Sequence, residues 1–319
     1  MEGQKSSEAS PDLSFVIPVL NEAASLPQLV REIEQAVQPL AKTYEIIFVD
    51  DGSTDQTPSL LSQLHRQNPA IKMLRFRRNF GKSAALAAGF TAAAGQIIFT
   101  LDGDLQDDPT CIPEFLAKLD EGCDLVSGWK KKRHDPISKT LPSWVFNQIM
   151  SALTGIGLHD FNCGFKCYRR AVVSELHLYG ELHRFIPVLA SQRGFSIAEI
   201  PVSHRPRIHG ASKYGWGRML VGLLDFLTVL FLTGYINRPG QFFGRIGFVV
   251  FSVGCAIGLY ITYLRVTTGT IEYRYPLLFL GGLLMLGGVQ LILSGLLAEM
   301  IIHFNRKPQE SYALKETLL

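Results

Sequence analysis

A chain of 319 residues with 47% hydrophobic content is long enough for one good-sized soluble domain and something more, because its apolar residues are unevenly spread. The net charge of +3 points to no single class of partner, and no nucleic acid is expected. Five cysteines (Cys111, Cys123, Cys163, Cys167, Cys255) are an odd set without CxxC spacing or a matching histidine pair, which argues against a disulfide framework and for reduced, mostly structural thiols.

Residues 1–12 are polar, rich in Ser and Glu, and lack the basic-then-apolar order of a secretory signal. Residues 13–20 (LSFVIPVL) form an apolar run too short for a helix, which predicts a strand. Ser25 then offers an N-cap for a helix with Pro27 in its first turn. The pattern repeats with a strand at 44–49, a loop at 50–54 and a helix from Asp55, where Asp51 and Ser53 serve the turn and cap. A strand at 71–76 leads to an alanine-rich helix at 83–94, and strands follow at 96–101 and 124–127. Such alternation predicts an α/β domain whose mainly parallel sheet carries helices on both faces.

Beyond residue 219 the composition changes. Residues 246–264 and 276–298 carry no formal charge, and each is long enough to cross a hydrocarbon core of roughly 30 Å as a helix. Gly254 and Gly258 form a GxxxG, and Gly281, Gly282, Gly287 and Gly288 thin the second span, which suits close helix packing and a homo-oligomer. Residues 219–235 are apolar but include Asp225, whose burial at mid-bilayer would cost roughly 2.5–3.5 kcal/mol, so interfacial helices are expected there. Arg238, Arg245, Arg306 and Lys307 flank one side of the hairpin, which places the large domain and the tail in the cytoplasm. The resulting division is a polar tail at 1–12, a catalytic domain at 13–212, interfacial helices at 213–243, a transmembrane hairpin at 244–300 and a tail at 301–319.

In parallel α/β sheets ligands sit at the carboxyl ends of the strands. Asn21-Glu22, Asp50-Asp51-Gly52-Ser53 and Asp102-Gly103-Asp104 all fall there. Carboxylates facing a nucleoside diphosphate make sense only with a cation between them. Asp102 and Asp104 can share a hard one, Mg2+ or Mn2+, with Gln106 as a third ligand and the diphosphate completing the shell. Asp50 can accept hydrogen bonds from a base or ribose, with Pro18 and Glu22 shaping the same pocket. The run Lys130-Lys131-Lys132-Arg133-His134 is a solvated loop, a contact for anionic headgroups or a lid over the acceptor.

VIPVLNE, FVDDGSTD, RNFGKSAAL and LDGDLQDDP, in this order and spacing, resemble glycosyltransferase family 2 with its GT-A type fold. The runs DFNCGFK at 160–166 and RIHGASK at 207–213, followed by two membrane helices, are similar to the polyprenyl-phosphate branch of that family. The resemblance implies a metal site at Asp102, Asp104 and Gln106, a nucleotide pocket at Pro18, Glu22 and Asp50, and acceptor-phosphate contacts at Arg207 and Lys213. It departs at DFNCGF, where the mannosyltransferases carry DxTGSF. Asn162 or amides around Gly164 stand in for the missing serine.

The lipid phosphate is anionic at neutral pH by analogy with other monoesters, so no strong base is demanded. Arg133, Arg205, Arg207 and Lys213 are available to neutralise it, with Asp160 orienting a cation or a sugar hydroxyl and Asp104 and Arg207 serving catalysis. The expected reaction is inverting transfer of a hexose, glucose from UDP-glucose by resemblance, to undecaprenyl-type phosphate at a bacterial inner membrane. The alternatives are a mannosyltransferase using GDP-mannose and a non-catalytic membrane scaffold. A dinucleotide-binding fold is set aside because the first strand leads into PVLNEAASLP and not GxGxxG.

Overall fold

The computed structural model describes residues 10–131, 147–148, 150–151, 154–203, 205, 239–271 and 273–305. The chain divides into two compact units, 1–218 and 219–319.

The first unit is built on a seven-stranded sheet in the order β3-β2-β1-β4-β6-β5-β7. Its strands are β1 (Leu13–Val19), β2 (Tyr44–Asp50), β3 (Ile71–Arg75), β4 (Ile97–Thr100), β5 (Leu125–Lys130), β6 (Lys166–Arg169) and β7 (Ile197–Val202). β3, β2, β1 and β4 are parallel neighbours, and β5 runs parallel to β7. β6 is the exception, antiparallel to both β4 and β5. The sheet is thus mainly parallel, as expected, but β6 and β7 were not foreseen. Four residues of β6, KCYR, are too few to show a period, and their strand character comes from the two neighbours they lie between.

β1 is apolar along almost its whole length because it is covered on both faces. Phe15, Ile17 and Val19, with Ile46, Phe48 and Phe99, point to one side; Val16, with Ile47, Val49 and Ile98, points to the other. The first face is covered by α1 (Leu26–Val37), α2 (Thr57–Gln67) and α4 (Ile112–Asp120). The second is covered by α3 (Lys82–Ala92), α5 (Arg170–Glu175) and α6 (Ile186–Gln192). α1 buries Leu26, Leu29, Val30, Ile33 and Val37, a stripe at helical spacing. Phe15 stacks on Phe99 at 5.1 Å, and Phe115 of α4 closes on Phe165 at 4.4 Å. Each such fully buried side chain contributes about 1.5–3 kcal/mol.

α1 starts where expected, after Ser25 and with Pro27 in its first turn, but Ser25 makes no side-chain cap. Its hydroxyl points into the protein, 2.6 Å from the carbonyl oxygen of Gly103 and 2.9 Å from that of Glu22. α2 begins at Thr57, later than expected, and its first turn is closed by Asp55, whose Oδ1 accepts from the Thr57 N–H at 2.9 Å.

The second unit contains α7 (Pro239–Thr268) and α8 (Tyr275–Asn305), both long and apolar enough to cross a membrane, with hydropathy 1.9 for Pro239–Thr268 and 2.1 for Tyr275–Ile301. Leu259, Tyr263, Val266, Phe279, Leu283 and Leu286 stand exposed on them, a surface suited to lipid. The helices meet through glycine pairs seven residues apart along each: Gly240 with Gly295, Gly247 with Gly288, and Gly254 with Gly281. A Cβ on Gly247 would lie 2.6 Å from the Gly288 carbonyl oxygen. The expected GxxxG is therefore only half used. Gly254 lies in the contact, whereas Gly258, Gly282 and Gly287 would meet nothing within 4 Å. The interfacial helices expected at 213–243 fall outside the described residues up to position 238.

Candidate active site

The carboxyl ends of β1, β2 and β4 carry the three polar clusters, and the loops bond to one another. The Asn21 N–H donates to Ser53 Oγ at 2.9 Å, and Asn21 Oδ1 accepts from the Thr54 N–H at 2.9 Å. The Glu22 N–H donates to Thr57 Oγ1 at 3.0 Å. Asp51 accepts from the N–H groups of Phe80 and Gly81 at 2.7 and 2.9 Å, tying the β2 loop to the segment before α3. Gly52 has φ +81°, and a Cβ there would lie 2.6 Å from the carbonyl carbon of Arg78, so this approach requires glycine twice over.

Asp50 is fully buried. Its Oδ1 accepts from the Ser53 N–H at 2.8 Å, and its Oδ2 lies 3.3 Å from Arg75 Nε. Arg75 thus faces this carboxylate. Arg77 and Arg78 remain exposed, Arg78 over the Phe80 ring. Pro18 and Glu22 lie beside Gly103: an ideal Cβ there would be 3.6 Å from the Pro18 carbonyl oxygen and 3.7 Å from Glu22 Cγ.

The Asp102-Gly103-Asp104 turn is held from below. Val19 leaves no room for a side chain at Gly103, where a Cβ would approach to 2.9 Å. Leu105 follows at φ +62°, a left-handed conformation that costs a branched residue roughly 1–2 kcal/mol and is held by complete burial of its side chain. Asp104 Oδ1 accepts from the Gln106 N–H at 3.2 Å. The Asp102 N–H lies 3.3 Å from Asp107 Oδ2, and the other oxygen of Asp107 is 3.2 Å from Lys130 Nζ.

Lys82, at the start of α3, forms a short contact with Asp102 Oδ1. Burial by itself would raise the Asp102 pKa. The charges of Lys82 and Lys130 override it, and the pKa falls well below the usual carboxylate range, so Asp102 is ionised. Asp102 and Asp104 are hard oxygen donors, and among the described residues no third His, Cys, Asp or Glu completes a metal set with them. Two carboxylates and the Gln106 amide, with a diphosphate supplying the remaining oxygens, fit a Mg2+ or Mn2+ ion.

The DFNCGF turn closes over the same point. Asp160 is buried, and its Oδ1 accepts from the Asn162 N–H at 3.2 Å. The chain approaches so closely at Gly164 that a Cβ would lie 2.6 Å from Asp102 Oδ2. Thr100 Oγ1 donates to the Gly164 carbonyl at 2.8 Å. Beneath are Lys166 and His183. Burial lowers the Lys166 pKa. Burial first, then the charges of Lys82 and Arg184, lowers that of His183 to about 3, so this imidazole is neutral.

Arg205, expected to bind the acceptor phosphate, is committed elsewhere. Its guanidinium pairs with Glu32 at 2.7 Å and Asp108 at 2.9 Å, and its N–H donates to the Gln106 carbonyl at 3.0 Å. It ties α1 to the loop that follows the two aspartates. Lys130, read as part of an exposed basic run, turns inward to Asp107, and Lys131 lies over the Trp129 ring at 5.5 Å. Arg133, Arg207 and Lys213 lie outside the described residues. Lys82, Asp107, Lys166 and His183 were not singled out from the sequence. Lys82 stood in the quoted RNFGKSAAL segment at a helix start, and Asp107 in LDGDLQDDP; His183 had no local signal.

Residues 14–176 match the domain described as glycosyl transferase family 2. The chain is 40% identical over 300 residues, 92% of its length and 88% of the relative's, to a dodecaprenyl-phosphate galacturonate synthase of Rhizobium johnstonii. It is 35% identical over 291 residues, 91% of its length and 84% of the relative's, to an undecaprenyl-phosphate 4-deoxy-4-formamido-L-arabinose transferase of Pseudomonas paraeruginosa. In fold it is similar to glucosyl-3-phosphoglycerate synthase from Mycobacterium tuberculosis, crystallised with Mn2+ and UDP-glucose. The TM-score is 0.51 at 19% identity, covering 70% of this chain and 79% of that one.

Proposed function

The chain belongs to glycosyl transferase family 2 and has a GT-A-like domain, and on that premise we propose that it transfers a sugar from a nucleoside diphosphate donor to polyprenyl phosphate at a membrane. The observation that carries the reading is Asp102, held by Lys82, beside Asp104 at a strand end on which the neighbouring loops converge, in a chain that also has two membrane-length helices. Two relatives that match nine-tenths of the chain are named for polyprenyl-phosphate sugar transfer.

In this reading Asp102, Asp104 and Gln106 hold the donor diphosphate through Mg2+ or Mn2+, which when bound neutralises charge on the leaving group. Pro18 and Glu22 shape the nucleotide side of the cleft. Asp50, sealed and bonded to the Ser53 N–H, keeps the β2 loop in form and offers Oδ2 to a base or ribose once Arg75 moves. The acceptor oxygen is anionic at neutral pH, so the protein's work is alignment and charge neutralisation. Asp160 orients the DFNCGF turn and need not abstract a proton. Arg207 and Lys213 supply positive charge for the lipid phosphate, with Arg133 a further source. A single displacement inverts the anomeric centre. The Lys/Arg flanks support a cytoplasmic site for this chemistry.

Resemblance favoured glucose, while the relatives are named for galacturonate and a formamido-arabinose, so donor identity is an arm of the assay. Membranes containing the protein, labelled UDP-glucose, UDP-galacturonate or GDP-mannose, polyprenyl phosphate and divalent metal are expected to yield a lipid-soluble labelled product. Asp104→Asn is expected to fold and to lose that product. Unchanged turnover would sink the role given to Asp104.

A further inference from the structure

Beside Asp102 the domain holds a narrow pocket walled by Lys82, Asn162, Gly164, Lys166, Tyr168 and His183, with room for roughly one water molecule. A sugar ring cannot enter it, but one oxygen of an exocyclic substituent can. Its polar lining is made mostly of hydrogen-bond donors. Lys166, only 3% exposed, gives one proton to the Cys163 carbonyl and forms no ion pair with a carboxylate of the described residues. Lys82 is bound to Asp102. Ser83 Oγ accepts from the His183 backbone N–H at 3.0 Å and stands 3.0 Å from its Nδ1.

Two ammonium groups therefore line the pocket with one carboxylate, Asp102. A buried ammonium without an anionic partner is unfavourable and is relieved by a ligand that brings one. The donor sugar would hang from the phosphate that Asp102 and Asp104 hold, and C6, borne on the carbon joined to the anomeric centre through the ring oxygen, is the exocyclic carbon nearest that phosphate and so nearest the pocket beside Asp102. A hydroxymethyl group can give its one proton to Asp102 and accept from the donors, but it brings no charge to the second ammonium. A carboxylate brings only acceptors and a negative charge.

We propose that the pocket is the recognition site for the C6 carboxylate of a hexuronic acid donor and that Lys166 is its specificity-determining residue. This rests on the nucleotide-sugar reading of the site above.

The test uses the purified full-length protein in detergent with Mn2+. UDP-galacturonate and UDP-galactose are compared by equilibrium binding and by kcat/KM for transfer to polyprenyl phosphate. UDP-galacturonate is expected to be preferred by about 100-fold, since charge-assisted hydrogen bonds are at stake. Lys166→Met and Lys166→Gln are expected to reduce the ratio of the two donors at least tenfold, thermal unfolding reporting whether each variant has folded. Equal use of the neutral donor by the wild type, or an undiminished preference in a folded Lys166 variant, overturns the proposal. If neither variant folds, the wild-type preference decides. Equal transfer of both sugars to lipid would remove the pocket's role and keep the transferase reading. Selective binding of the uronate donor without any lipid product would do the reverse, and failure to bind either donor removes both.

Discussion

Gly164→Ala tests whether the position of Asp102 governs turnover. The glycine is not in the left-handed region, so alanine can take its backbone conformation, and the change should favour the folded state by about 0.4–1 kcal/mol through the unfolded chain. The new Cβ, however, would lie 2.6 Å from Asp102 Oδ2, 2.8 Å from Cγ and 2.9 Å from Oδ1. Restoring an ordinary contact of 3.4 Å from 2.6 Å moves the carboxylate by about 0.8 Å. The Thr100 hydrogen bond to the Gly164 carbonyl involves only the backbone and survives. A shift of this size in a group that positions the reacting centre costs on the order of 100-fold in rate, or about 2.7 kcal/mol at 1.36 kcal/mol per factor of ten. The assay is transfer of labelled sugar to polyprenyl phosphate by wild type and variant, with thermal unfolding in parallel. Turnover within threefold of wild type at unchanged stability would refute the reasoning, because Asp102 would then tolerate displacement.

Arg205→Met removes two partly exposed ion pairs worth about 0.2–1 kcal/mol each, so Tm is expected to fall by a few degrees with the KM for polyprenyl phosphate within twofold of wild type. A tenfold rise in that KM would return Arg205 to the acceptor site. The neutral His183 adds an acid sensitivity. Its folded pKa of about 3 lies below the unfolded value of about 6.5, so between these limits the unfolded chain holds more protons and stability falls as pH drops. The carboxylates with lowered pKa lose their contribution from about pH 5 downward, so the slope of Tm between pH 6.5 and about 5 should flatten in His183→Asn, and an unaltered slope would count against this burial. In the second unit, Gly288→Val places a Cβ 2.6 Å from the Gly247 carbonyl oxygen and the Phe251 N–H nitrogen, whereas Gly287→Val meets nothing. The former should destabilise the hairpin by about 1–3 kcal/mol in detergent melts and the latter should not; equal melts would contradict the pairing.

Much was legible locally. The unbroken apolar run of β1, the alanine-rich α3 and the uncharged spans in α7 and α8 carry their periods within a few residues, and periodic burial determines such elements almost alone. The two aspartates after β4 were visible for the same reason, since a polar pair ending a buried strand falls at the carboxyl edge of a parallel sheet. By itself the sequence determined the α/β class, the aspartate turn and the pair of membrane-length helices, all of them properties of neighbouring residues.

What surrounds the aspartates was decided by the tertiary structure. The contact of Lys82 with Asp102 joins α3 to the end of β4, that of His183 with Ser83 spans 100 residues, and that of Arg205 with Glu32 spans 173. Nothing local distinguishes Arg205 bound to two carboxylates from an arginine free for phosphate, or an inward Lys130 from a solvated one. The insertion of β6 between β4 and β5 set Gly164 against Asp102 and brought Lys166 beneath it. Strand order is a global outcome of packing, and with it came the charge environment of the site, because side chains distant in sequence titrate and bond according to the neighbours that the sheet gives them.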